Sequence, residues 1–345
     1  MRKPDIQRVL NWTGLLLAVA ALFYLGRSFA VGLRQQSLSE LLSFDVGLLA
    51  ASFAVLMGHM ALAALSWKMV SGLVGCPVTY KQAFSIHFLT QVGKYLPGKL
   101  WAAVGKVGLT RKLGLSGVKA SHAMVLESLF IVSGSLLVGV PLVPVAAARL
   151  GLGPAVSVIS VAIVAFLLIL TAHPTAFKRL LRVLSRMTGK ELEVEDPGFL
   201  NVLKLLPVYL LVFLSQGVAF VLLAWSFGLS LPMFPGMFVF PMAMAIGFVM
   251  VFAPGGLGIR EVSLTWLVGL VVVAGAASAG RSELVALAAR LWITLAEGLG
   301  FLIALILWGD RRVIGSMRAE MAGTGDAERG AGKSDQPSST PSTSA

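Results

Sequence analysis

The chain has 345 residues, 57% of them hydrophobic and only 13% charged, with a formal net charge of +12. Soluble globular domains carry about 25% charged residues, so this composition excludes an ordinary water-soluble fold and places the chain in a bilayer. The excess of Lys and Arg fits loops facing anionic lipid and not nucleic acid, because no stacking platform or binding motif accompanies it.

Residues 1–9 form a basic cytoplasmic N-terminus containing Arg2, Lys3 and Arg8. The apolar run from Leu10 to Phe29 exceeds a typical signal-peptide core and reads as a retained first span. Further candidate spans follow at 44–66, 120–146, 153–172, 204–228, 236–253, 259–277 and 284–308. Each approaches the roughly 20 residues needed to cross about 30 Å of hydrocarbon. None alternates in the manner of a barrel strand. The expected fold is therefore an all-α, polytopic integral membrane bundle of about 7–8 spans, with one or two broken or re-entrant helices.

Basic residues fix an orientation. Lys68, Lys81, Lys94, Lys99, Lys106, Arg111, Lys112 and Lys119 follow the second span, and Lys178, Arg179, Arg182, Arg186 and Lys190 fall in the loop 173–203. Arg311, Arg312 and Arg318 follow the last span, whereas the alternate connections hold only Arg34, Arg149 and Arg281. Both termini are thus expected in the cytoplasm. The loop contains a polar stretch, 178–195, that reads as an amphipathic surface helix. Residues 311–345 are Gly-, Ser-, Thr- and Pro-rich, and are expected to be a disordered cytoplasmic tail.

Two stretches do not fit simple spans. In 82–112 the apolar part before Pro97 is about 15 residues, or about 22 Å of helix, too short to cross. A re-entrant hairpin or broken helix is expected there. In 251–261, Pro254, Gly255 and Gly256 break the helix. That break is either a turn between two full spans or the tip of a second hairpin, and charge counting does not choose between them. Pro97 and Gly98 play the same part in the first stretch.

No catalytic motif of the GxSxG, HExxH, P-loop or GxGxxG type stands in the required context. The four histidines have no metal-ligand spacing, and the lone Cys76 builds no disulfide or metal site. No catalytic residue, metal or cofactor is expected, and an enzyme is the less favoured reading. His59 reads as a packed, hydrogen-bonded residue before a proton relay. The informative residues are ionisable ones at membrane depth, where charge is costly. Glu127 lies in the third span; Arg290 and Glu297 lie two turns apart on one face of the last. Arg290 is near enough to the span's end to snorkel, whereas Glu127 and Glu297 reach less far. After each break a new helix N-terminus presents free N–H groups that favour an anion, with Lys99, Arg260 and Glu261 in its first turns.

The pairing of QVGKYLPGKLW with FAPGGLGIREVSL resembles the lysylphosphatidylglycerol synthase transmembrane-region family, also called flippase-like, over about residues 10–310. The resemblance implies a prokaryotic cytoplasmic membrane location. In the founding enzymes this region accompanies a soluble aminoacyl-transferase domain and is credited with moving the modified lipid between leaflets. Stand-alone relatives are linked to polyprenyl-lipid, glycolipid or hopanoid pathways. No residues are left here for the soluble domain, so lysyl transfer is not expected. The expectation is a lipid translocator acting on a phospholipid or a polyprenyl or glycolipid. Lys99, Glu127, Arg260, Glu261, Arg290 and Glu297 are its headgroup-binding candidates. The alternative is an integral-membrane transferase on a lipid carrier, with Glu127 or Glu261 as base, or an accessory subunit positioning a cell-envelope enzyme.

Overall fold

The computed structural model describes residues 43–91, 93, 100–173, 179, 198–249, 259–272 and 281–309. These form α1 (Val46–Leu73), α2 (Tyr80–Gln91), α3 (Leu100–Lys112), α4 (Gly117–Gly139), α5 (Leu142–Arg149), α6 (Ala155–Ala172), α7 (Phe199–Leu203), α8 (Leu206–Ser226), α9 (Met233–Gly236), α10 (Val239–Val249), α11 (Ile259–Val271) and α12 (Arg281–Gly309). Among the described residues there is no strand, as the composition requires. Four stretches are long and apolar enough to cross a membrane: Val46–Leu73, Gly117–Gly139, Phe199–Ser226 and Arg281–Trp308. The first span of the sequence reading, the surface helix at 178–195 and the tail lie outside the described residues, apart from Arg179.

The ends of these helices follow from local chemistry. Asp45 opens α1 by accepting the Leu48 N–H at 2.9 Å. A reciprocal capping box opens α2: the Thr79 N–H donates to Gln82 Oε1 at 2.8 Å, and the Gln82 N–H to Thr79 Oγ1 at 3.3 Å. The apolar run 120–146 is not one helix. It stops at Gly139, and Pro141 stands as the N-cap of α5, because proline has no N–H to continue the ladder.

The short helices come in pairs. α2 has 12 residues, α3 has 13, α10 has 11 and α11 has 13. At 1.5 Å per residue these limbs are about 16–20 Å long, well short of the hydrocarbon thickness. α2 packs along α3, and α10 along α11. The stretches that join the limbs, 94–99 and 250–258, lie outside the described residues.

The fold contains an internal repeat. α1–α4 and the set α8, α10, α11, α12 each run as long span, two short limbs, long span, and their packing partners correspond. α2 lies against α12 of the other repeat, and α10 against α4. The repeats run in opposite directions, as the seam between α1 and α8 shows. The Asp45 N–H donates to the Ser226 carbonyl at 2.8 Å, and Ser52 Oγ to that of Ala219 at 2.7 Å. His59 Nδ1 meets the Val212 carbonyl, also at 2.7 Å. Each two turns forward on α1 is two turns back on α8, which makes the pair antiparallel. Two glycines admit cross-repeat contacts. A Cβ on Gly139 would stand 2.9 Å from Met242 Cβ, and one on Gly300 would collide with the Phe88 ring.

Apolar side chains cover the outside as well as the core. α6 exposes Val158, Ile159, Val161, Ile163 and Phe166, and α12 exposes Leu291, Leu295, Leu302 and Ile306 along one stripe. The opposite stripe of α12 buries Ala289, Trp292, Ala296 and Glu297. Such faces suit hydrocarbon, and they orient the polar side chains of the spans inward.

Two outcomes are expected from this packing. Gly139→Ala forces the α4–α10 contact apart and costs about 1–3 kcal/mol in reversible unfolding in detergent; an unchanged midpoint would contradict the contact. Cys76, on the connection before α2, is fully buried with its thiol 3.6 Å from the Ser116 carbonyl oxygen. Burial pushes this thiol above its ordinary value, with the Lys119 charge acting in the other direction. Less thiolate and no access together slow maleimide labelling of the native protein at least tenfold, roughly, against the denatured chain, read by mass spectrometry.

Candidate functional site

Two buried ion-pair clusters occupy corresponding places in the two repeats. In the first, Lys106 on α3 meets Glu127 on α4, its ammonium 2.6 Å from Oε1 and 2.7 Å from Oε2. The side chains are only 7% and 4% exposed. The ammonium also lies 4.4 Å from the centre of the Trp67 ring on α1, where the negative face of the indole attracts it. Ring stacking of Phe130 on Tyr209, with centroids 4.9 Å apart, closes the same region from α4 and α8.

In the second cluster, Arg260 and Glu261 stand in the first turn of α11. Arg260 Nη2 donates to Glu261 Oε1 at 2.9 Å, and Arg290 Nη1 on α12 reaches the same oxygen at 3.5 Å. Arg260 Nη1 lies 3.7 Å from Met244 Sδ, and its guanidinium stands 5.8 Å from the centre of the Phe240 ring. The Glu261 carboxylate thus complements the positive end of the α11 dipole and two guanidiniums together. Glu297 lies two turns beyond Arg290 on α12 and is buried, and α12 packs against α1, which carries His59. His59 in turn lies 3.4 Å from the Gln216 amide nitrogen on α8.

The two clusters join the same structural partners with reversed polarity. In each repeat the second limb of the hairpin is tied to the long span that follows it. The cation is on the limb in the first repeat, whereas the carboxylate bridging limb to span is on the limb in the second. Arg260, Glu261 and Arg290, which the sequence nominated separately, converge. Glu127 forms its own pair. Arg290 does not snorkel outward; it turns to Glu261. Lys99 and the break residues Pro97, Gly98, Pro254, Gly255 and Gly256 lie outside the described residues.

Sequence reasoning did not find three participants. Lys106 counted there as one more cytoplasmic basic residue, yet it is buried; its setting in the apolar run LWAAVGKVGLT was the available signal. Trp67 gave no signal, because its role depends on a helix packed against its own. Gln216 was equally silent. No group of His, Cys, Asp or Glu able to hold a metal ion occurs among the described residues.

Oppositely directed repeats, short paired limbs and buried ion pairs define a multi-pass α-helical membrane protein. The family model described as lysylphosphatidylglycerol synthase TM region matches residues 11–309. The chain belongs to that family, which ties it to lipid handling. No curated protein and no solved structure matches it.

Removing one member of the first cluster leaves a bare charge in a low-dielectric interior. Glu127→Gln is expected to cost about 3–5 kcal/mol, whereas Lys106→Met with Glu127→Leu restores most of that loss. Thermal unfolding of the single and double variants checks both; a single variant as stable as wild type would remove the pair from the account.

Proposed function

We propose that the protein moves a lipid between leaflets by accepting its anionic headgroup at the Arg260–Glu261–Arg290 cluster. The observation that carries this reading is two guanidiniums meeting on one carboxylate oxygen in the first turn of α11. Guanidinium forks bind phosphate as readily as carboxylate. A headgroup phosphate would take over guanidinium hydrogens now given to Glu261, while its acyl chains stay against the apolar outer faces. The oppositely directed repeats support the reading, since in transporters of that build the substrate sits near the midplane between repeats. Glu127 and Lys106 hold the first hairpin in place on the other side of the repeat.

The test is reconstitution into phosphatidylglycerol-containing vesicles with fluorescent phosphatidylglycerol in both leaflets. Dithionite quenching is expected to show movement at least tenfold, roughly, above protein-free vesicles. Arg260→Met, at equal reconstituted amount, loses about tenfold or more of that gain, equivalent to about 1.4 kcal/mol of barrier. No acceleration for any of a panel of anionic lipids, polyprenyl phosphates included, would sink the proposal.

A further inference from the structure

His59 stands in the seam between the repeats, and its hydrogen bonds place one of its ring protons. Nδ1 lies 2.7 Å from the Val212 carbonyl oxygen, which can only accept, so Nδ1 carries a proton and donates. Nε2 faces the Gln216 amide nitrogen at 3.4 Å. With the amide so oriented that group is a donor, which matches an accepting Nε2 and a neutral ring. Gln216 Oε1, in the same buried side chain, has no hydrogen-bond partner. Turning the amide end for end brings this orphan acceptor to Nε2, where a second ring proton would satisfy it. The two amide orientations therefore match the two charge states of His59.

The charges nearby supply a reason for switching. At membrane depth, the titratable and charged groups on helices packed against α1 are His87 on α2, His122 and Glu127 on α4, Tyr209 on α8, and Arg290 and Glu297 on α12. Glu127 pairs with Lys106 and Arg290 reaches Glu261, and Glu297 follows two turns beyond Arg290 on α12, which packs against α1. Arg260 and Arg290 balance Glu261 and Glu297, so the second cluster is neutral as it stands. An entering phosphate diester leaves it one negative charge in excess, which a low-dielectric interior resists. One proton on His59, on the helix that packs against α12, restores the balance.

We infer that His59 and Gln216 form a proton-binding site that loads when an anionic headgroup occupies the Arg260–Glu261–Arg290 cluster, so that headgroup movement is coupled to a proton. This rests on the anionic-headgroup reading above. By linkage, headgroup affinity then rises as pH falls.

The test is calorimetric titration of the purified full chain in detergent with dioctanoylphosphatidylglycerol at about pH 6.5, in two buffers of different ionisation enthalpy. Wild type is expected to take up about one proton per bound lipid, a ligand whose phosphodiester stays ionised throughout. His59→Asn is expected to bind the lipid with that uptake lost. Binding by wild type without uptake, or uptake retained in His59→Asn, overturns the coupling and leaves the headgroup site standing. Absence of any binding overturns both. If His59→Asn does not fold, nitrogen-15 solid-state NMR of wild type decides. A neutral Nδ1–H ring becoming imidazolium on lipid addition supports the site, and a ring that stays neutral with lipid bound refutes it.

Discussion

Charge inside hydrocarbon has to be answered from within the protein, and much of this fold is arranged around that requirement. In each pair of short helices the second is tied to the next long span by a buried ion pair: Lys106 to Glu127, and Glu261 to Arg290. Without those ties the hairpins would present polar groups to lipid, where nothing satisfies them.

The same ties serve two ends that pull against each other. A buried ion pair adds little stability beyond what well-packed apolar residues would give, yet breaking it is costly. Such pairs are therefore sensitive to any ligand that offers a substitute partner. The second cluster has the means for exchange, because two guanidiniums share a single carboxylate oxygen. The first has less, because its one ammonium is held by both oxygens of Glu127 and by the face of Trp67.

The antiparallel seam of α1 and α8 connects them. It carries hydrogen bonds from Ser52 and His59 to opposing backbone carbonyls, so polar groups are satisfied across the join between repeats. His59 sits in this seam, against the Val212 carbonyl and the Gln216 amide. Glycines at 139 and 300 let each hairpin lie close against the opposite repeat.

Much of this could be read along the chain. Apolar runs are a one-dimensional feature, and they determined the membrane class and the all-α fold. Glu127, Arg260, Glu261, Arg290 and Glu297 stood out because charge within an apolar run is anomalous wherever it points. The partners were not legible. Lys106 lies amid basic residues that face water, and only the packing of α3 on α4 distinguishes it from Lys112 a few residues on. Trp67, Gln216 and the tautomer of His59 depend on helices distant in sequence, as does the inverted repeat, whose halves share an order of elements and no evident run of residues. The sequence by itself determined which groups needed a partner, because burial in lipid imposes that on every residue alike. Only the tertiary structure decided which partner each one found, because a charge pair is set by distance in space and not by separation along the chain.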